Sequence, residues 1–145
     1  MITTLQPIFA RHQGQAGSLL PILHDIQHEL GYVPEEAVPL VAQELNLSRA
    51  EVHGVITYYS HFRRTPPGKH VVQVCCAEAC QANGSEALAA HAAKRAQKGD
   101  VTIEPVYCLG LCSIGPNIQI DESELHAQVT QKKFDALMDE LGDAK

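Results

Sequence analysis

The segment RRTPPGKH (residues 63–70) divides this chain into two different kinds of sequence. Two adjacent prolines remove backbone donors and fix φ, and the glycine after them loosens the chain, so no helix or strand runs through. Before the break, apolar residues recur at helical spacing; after it, short apolar runs alternate with helical stretches. The expected organisation is a helical domain over residues 1–67 and an α/β domain over residues 68–145.

Three helices are expected in the first part. In SLLPILHDIQHELG, Leu19, Leu20, Leu23, Ile26 and Leu30 fall near helical spacing, with Ser18 as cap, Pro21 in the first turn and Gly31 as the stop. VPEEAVPLVAQELN starts a second helix at Pro34, with acidic residues where the helix dipole favours them; Pro39 either kinks it or divides it. LSRAEVHGVITYYSHF sets Ser48 and Glu51 at capping-box spacing ahead of an apolar face of Val52, Val55, Ile56 and Tyr59.

The second part reads strand, helix, strand, hairpin, helix. HVVQVC reads as a buried strand and VTIEPVYC as a second strand, and GSEALAAHAAKRAQ between them as an alanine-rich helix. NIQIDESELHAQVT alternates like a hairpin around Asp121–Glu124, and QKKFDALMDELG closes as an amphipathic helix. A right-handed crossover between the first two strands brings both strand ends to one edge of the sheet, where open α/β sheets build their sites.

Both strands end in cysteines. VCCAEACQANG carries Cys75, Cys76 and Cys80, VYCLGLCSIGPN carries Cys108 and Cys112, and the chain has no others. Four thiolates from two loops hold either zinc or an iron–sulfur cluster. Structural zinc usually takes tight Cys-x2-Cys knuckles, which neither loop offers. The wider spacings, four residues and three, suit a two-iron cluster, with one loop per iron as the simplest pairing. Cys76 is left over and reads as a small, partly buried side chain. Gly110 lets backbone amides approach sulfur closely. Leu109, Leu111 and Ile114 are expected to exclude water and Pro116 to stiffen the loop exit, although such residues more often serve packing.

Competing chemistries are thin. A thioredoxin-type pair needs Cys-x-x-Cys, and a vicinal Cys75–Cys76 disulfide leaves three cysteines unexplained. A Rieske centre needs two histidines near the cysteines. His53 and His61, placed on the third helix, and His126, on the last strand, read as surface or sheet-face residues. No phosphate loop or nucleophile elbow is present. Glu35, Glu36, Asp139 and Glu140 read as solvated helix faces. The net charge of −6, with no basic stripe, argues against nucleic acid. No apolar run is long enough to insert in a membrane. MITTLQPIFARHQGQAG lacks the pattern of a signal peptide, so the expected compartment is cytoplasmic, where structural disulfides are rare. A zinc scaffold and a thiol–disulfide oxidoreductase using Cys75 or Cys76 remain the alternatives.

The chain resembles the thioredoxin-like two-iron ferredoxin family, which includes the 24-kDa subunit of respiratory complex I and its counterparts in NAD-reducing hydrogenases and NAD-dependent formate dehydrogenases. LLPILHDIQHELGYVPEEAVPLVAQELNLSRAEVHGVITYYSHF is similar to the family's helical domain, and VCCAEACQANGSEAL and VYCLGLCSIGPNIQI to its two ligand segments. The resemblance implies an α+β chain, a helical bundle followed by a thioredoxin-like domain. It implies Cys75, Cys80, Cys108 and Cys112 as ligands of one [2Fe-2S] cluster, with Cys76 not a ligand. RAEVHGVITYYSHFR, HVVQVCCAEACQ and LHAQVTQKKFDAL look most like the gamma subunit of cytosolic molybdenum formate dehydrogenases. That implies an electron-transfer subunit without activity of its own. Its direct partner would be a flavin subunit carrying FMN and NAD, docked by the helical domain and faced by the cysteine loops. A large molybdopterin- and iron–sulfur-containing subunit would oxidise formate to carbon dioxide. Complex I and hydrogenase assemblies share the same ligand pattern.

Overall fold

Seven helices and one four-stranded sheet make up the computed structural model, which describes residues 2–96 and 100–143. The chain separates into two compact units, Met1–Pro66 and Pro67–Lys145.

The first unit holds four helices, one more than expected: α1 (Ile2–Arg11), α2 (Leu19–Leu30), α3 (Ala37–Glu44) and α4 (Arg49–Tyr58). The unforeseen α1 carries Pro7 in its interior, which hides it from a pattern search, yet Leu5 and Ile8 are fully buried. They join Leu23 and Ile26 of α2, Val41 of α3 and Val52 of α4 in one core. Ser18 stands at the N-cap of α2 but makes no side-chain cap bond, whereas Gly31 ends that helix at φ 82° with its N–H on the Gln27 carbonyl. α3 begins at Ala37 rather than Pro34, so Pro39 falls in its first turn and neither kinks nor divides it. The capping box on α4 forms in full: Ser48 Oγ accepts from the Glu51 N–H at 3.2 Å, and the Glu51 carboxylate accepts from the Ser48 N–H at 2.8 Å. Val52 and Ile56 are buried as the apolar face requires, but Tyr59 lies past the helix end and is exposed, stacked edge-on to Tyr58. His61 also lies beyond α4. The buried side chain of Gln27 anchors the segment there, its Nε2 donating to the His61 carbonyl at 2.7 Å and its Oε1 accepting from the Arg63 N–H at 2.6 Å.

The second unit follows the expected order, with two short additions. β1 (His70–Cys75), α6 (Ser85–Ala96), β2 (Val101–Val106), β3 (Ile118–Ile120), β4 (Glu124–His126) and α7 (Gln131–Asp143) match the strand and helix segments of the sequence. The expected end of α6, Gln97, lies outside the described residues. The short helix α5 (Glu78–Ala82) and a single 3-10 turn (Cys112–Ile114) were not foreseen, being too short to show a period. The sheet runs β2-β1-β3-β4. β1 and β2 are parallel with Cys75 opposite Val106, and β3 pairs antiparallel with both β1 and β4. Val72, Val74, Ile118 and Ile120 share a core with Leu88 and Ala92 of α6 and Phe134 and Met138 of α7. His91–Asp135 at 2.8 Å and Arg95–Asp139 at 2.5 Å tie the two helices along their outer edges. No helix among the described residues is long and apolar enough to cross a membrane.

Candidate metal centre

The register of β1 against β2 decides where the cysteines meet. With Cys75 opposite Val106 in parallel strands, the chain leaves both strands at the same end of the sheet. One exit runs through α5 to Cys80; the other turns at Cys108 and reaches Cys112 at the start of the 3-10 turn.

Cys75 and Cys80 are buried, Cys76 is half-buried, and Cys108 and Cys112 are exposed. All five are free thiols, and the Sγ atoms of Cys108 and Cys112 stand 3.5 Å apart, far beyond a disulfide bond. Burial pushes the Cys75 thiol up, but the backbone N–H of Ala77, the Cys80 thiol and the N–H groups of Cys108 and Leu109 outweigh it and hold it below its ordinary value. Cys75 is therefore the point where the two loops touch and where thiolate charge is favoured. Burial and the hydrogen bond to Cys75 push Cys80 up. The hydrogen bond and charge of Cys108 do the same to Cys112, with smaller contributions from burial and Cys75. Cys76 is raised by burial and by Cys75, and its thiol turns to the Val74 carbonyl at 3.4 Å.

The second loop reaches this geometry through unusual backbone. Cys108 has φ 98° and Gly110 φ 80°. The left-handed turn at a non-glycine residue costs of order 1–3 kcal/mol. In return the Gly110 N–H donates to the Cys108 Sγ at 3.3 Å; a Cβ at Gly110 would meet nothing within 4 Å, so the left-handed φ, and not the space expected from the sequence, is what favours glycine here. Water exclusion does not follow the expectation. Leu109 and Leu111 are only partly covered, Ile114 is 40% exposed and Tyr107 64%. Short loops at a sheet edge lack a second layer to bury them.

Two neighbours of Cys80 escaped the sequence. Gly115 lies against Cys80, and Asn117, 1% exposed, places its side chain beside the Cys80 sulfur. Neither has a local signature, since each matters only through a partner about 35 residues away.

The donor set fits a two-iron cluster. The sulfurs stand as one pair from each loop, Cys75 with Cys80 and Cys108 with Cys112, with backbone N–H groups directed at Cys75 and Cys108. A two-iron cluster takes four cysteines, whereas structural zinc gathers four donors about one point.

Residues 5–142 match the thioredoxin-like [2Fe-2S] ferredoxin family, and the chain belongs to that family. A subunit of the NADH-quinone oxidoreductase of Escherichia coli K12 is 34% identical over 122 residues, covering 79% of this chain and 73% of that relative. The HndA subunit of the NADP-reducing hydrogenase of Solidesulfovibrio fructosivorans is 33% identical over 123 residues, covering 79% and 71%. A crystal structure of an NAD+-reducing [NiFe]-hydrogenase aligns with a TM-score of 0.68 at 20% identity, over 92% of this chain and 23% of that one. That likeness supports the α+β fold expected from the sequence. The two relatives are subunits of oxidoreductase complexes.

Proposed function

We propose that this chain is the electron-transfer subunit of an NAD-linked oxidoreductase, holding one [2Fe-2S] cluster through Cys75, Cys80, Cys108 and Cys112. The observation that carries this reading is the meeting of two cysteine pairs around Cys75 at one end of the β1–β2 pair. When bound, such a group supplies one-electron exchange between Fe(III) and Fe(II). The chain's own residues hold it and do no acid–base work. Buried Cys75 and Cys80 form the inner wall, the N–H groups of Ala77, Cys108, Leu109 and Gly110 aim at sulfur, and exposed Cys108 and Cys112 open the site outward. Tyr107, which precedes Cys108 in the chain, and Ile114, two residues after Cys112, are exposed and suit the apolar face of a partner that trades electrons there.

In this reading residues 68–145 carry the cluster and residues 1–67 form the helical domain that docks on a cytoplasmic flavin subunit with FMN and NAD. The complex is an NAD-dependent formate dehydrogenase with a molybdopterin-bearing large subunit, a choice supported by the resemblance of RAEVHGVITYYSHFR and HVVQVCCAEACQ. A second reading, a subunit of an NADH:quinone oxidoreductase or a hydrogenase, is favoured by the names of the two relatives.

Low-temperature EPR of the anaerobically purified chain, with iron, sulfide and zinc quantified, tests the cluster. The expected result is about two irons and two sulfides per chain and a spin-half signal only after dithionite. Stoichiometric zinc, or metal-free protein, would overturn it. The assembly is tested on the native complex by asking whether formate, hydrogen or a quinone couples to NAD; coupling without formate would transfer the chain to the second reading.

A further inference from the structure

We propose that Asn117 is a positioning residue that ties the two cysteine loops together and, through a hydrogen bond to Cys80, raises the reduction potential of the electron-transfer site. The proposal rests on the cluster reading above. Asn117 lies between the 3-10 turn and β3 and touches both loops. Its Nδ2 donates to the Leu111 carbonyl at 2.8 Å and to the Cys80 Sγ at 3.5 Å, while its backbone carbonyl accepts from the Cys75 N–H at 3.0 Å. One residue therefore bonds two of the proposed ligands and the neighbour immediately before a third, Cys112.

The chemistry of the amide explains why asparagine stands here. A carboxamide nitrogen carries two protons, and both are spoken for. Its orientation is set by Leu111: turning the amide over would point oxygen at a carbonyl oxygen and leave the sulfur without a donor. The Oδ1 is buried and has no donor among the described residues. Hydrogen bonds to ligand sulfur stabilise the more electron-rich, reduced state, and outer neighbours of this kind orient ligands and tune potential.

The test is a redox titration, followed by EPR, of the loaded full-length chain and of Asn117→Leu, which keeps bulk and removes both donors. The expected change is a roughly tenfold weaker reduction equilibrium, about 59 mV more negative for one electron. Pulsed EPR of the reduced wild type, made with asparagine labelled with nitrogen-15 at the side chain only, should show a hyperfine coupling that the variant lacks. Should Asn117→Leu fail to hold iron, that coupling in the wild type decides. A wild type with full iron and sulfide but no coupling, or a variant at the wild-type potential, overturns the role of Asn117 and leaves the cluster reading standing. A wild type without iron and sulfide overturns both.

Discussion

Gly115 and Cys80 stand so close that a Cβ on Gly115 would lie 3.1 Å from the Cys80 Sγ and 3.4 Å from its Cα, so Cys80 would have to give by a few tenths of an ångström. Gly115 has φ −69°, a conformation open to any residue, so close packing and not backbone conformation favours glycine here. Gly115→Ala should push Cys80 out of place. Overpacking of this kind costs about 1–3 kcal/mol. The expected outcome is a lower urea midpoint and several-fold faster loss of visible absorbance under a chelator; wild-type values for both would show that the α5 loop yields freely.

The thiols should separate into two classes. Serine at Cys75, Cys80, Cys108 or Cys112 is expected to abolish or strongly alter the absorption of the loaded protein. Cys76→Ser is expected to leave it intact, because that thiol is turned to the Val74 carbonyl. An unchanged spectrum in any of the first four removes that residue from the ligand set.

Gln27 should be costly to replace. Its amide makes two short bonds to the chain leaving α4, each worth about 1 kcal/mol when buried. Gln27→Leu is expected to lower stability by about 2 kcal/mol in denaturant titration of the full chain, with the visible spectrum retained. A change below about 0.5 kcal/mol would mean the segment after α4 is held by its other contacts.

The His12–Asp25 pair should make stability depend on pH. Hydrogen bonds to Gln15 and then Asp25 raise the His12 pKa above 6.5, and the His12 bond first, with Arg11 and His12 charges behind it, holds Asp25 below 3.8. A raised histidine stabilises fully below its unfolded pKa and loses that as pH climbs through the folded value. A depressed carboxylate stabilises above its unfolded pKa and loses that as pH falls through the folded value. The contribution is therefore greatest between about pH 4 and 6.5. His12→Ala should lower the denaturation midpoint more at pH 5.5 than at pH 8.5; an equal loss at both would show the imidazolium makes no use of Asp25.

Much of the architecture was legible. α4 was marked at its start by Ser48 and Glu51, α2 at its end by Gly31, and β1, α6, β2, the hairpin and α7 by their changing apolar period. What stayed hidden had a local reason. Pro7 disguised α1, α5 spans too few residues to show a period, and Pro39 stood in a first turn only because α3 starts at Ala37. Ile114 was expected to shield the site, but its exposure depends on what covers the loop, which no short segment encodes.

Most local elements, the break at Pro66 and Pro67, and a donor set of cysteines at two strand ends are written in short stretches of the chain. Periodicity, capping and proline chemistry act over a few residues, so a short segment carries them whole. The folded chain alone makes Cys75 the meeting point of both loops, exposes Cys108 and Cys112, and sets Gly115 and Asn117 against Cys80. Those relations depend on the parallel register that sets Cys75 opposite Val106 and on the return of the chain along β3. They join residues about 30 or more apart, and close packing, rather than any local rule, chooses which of them touch.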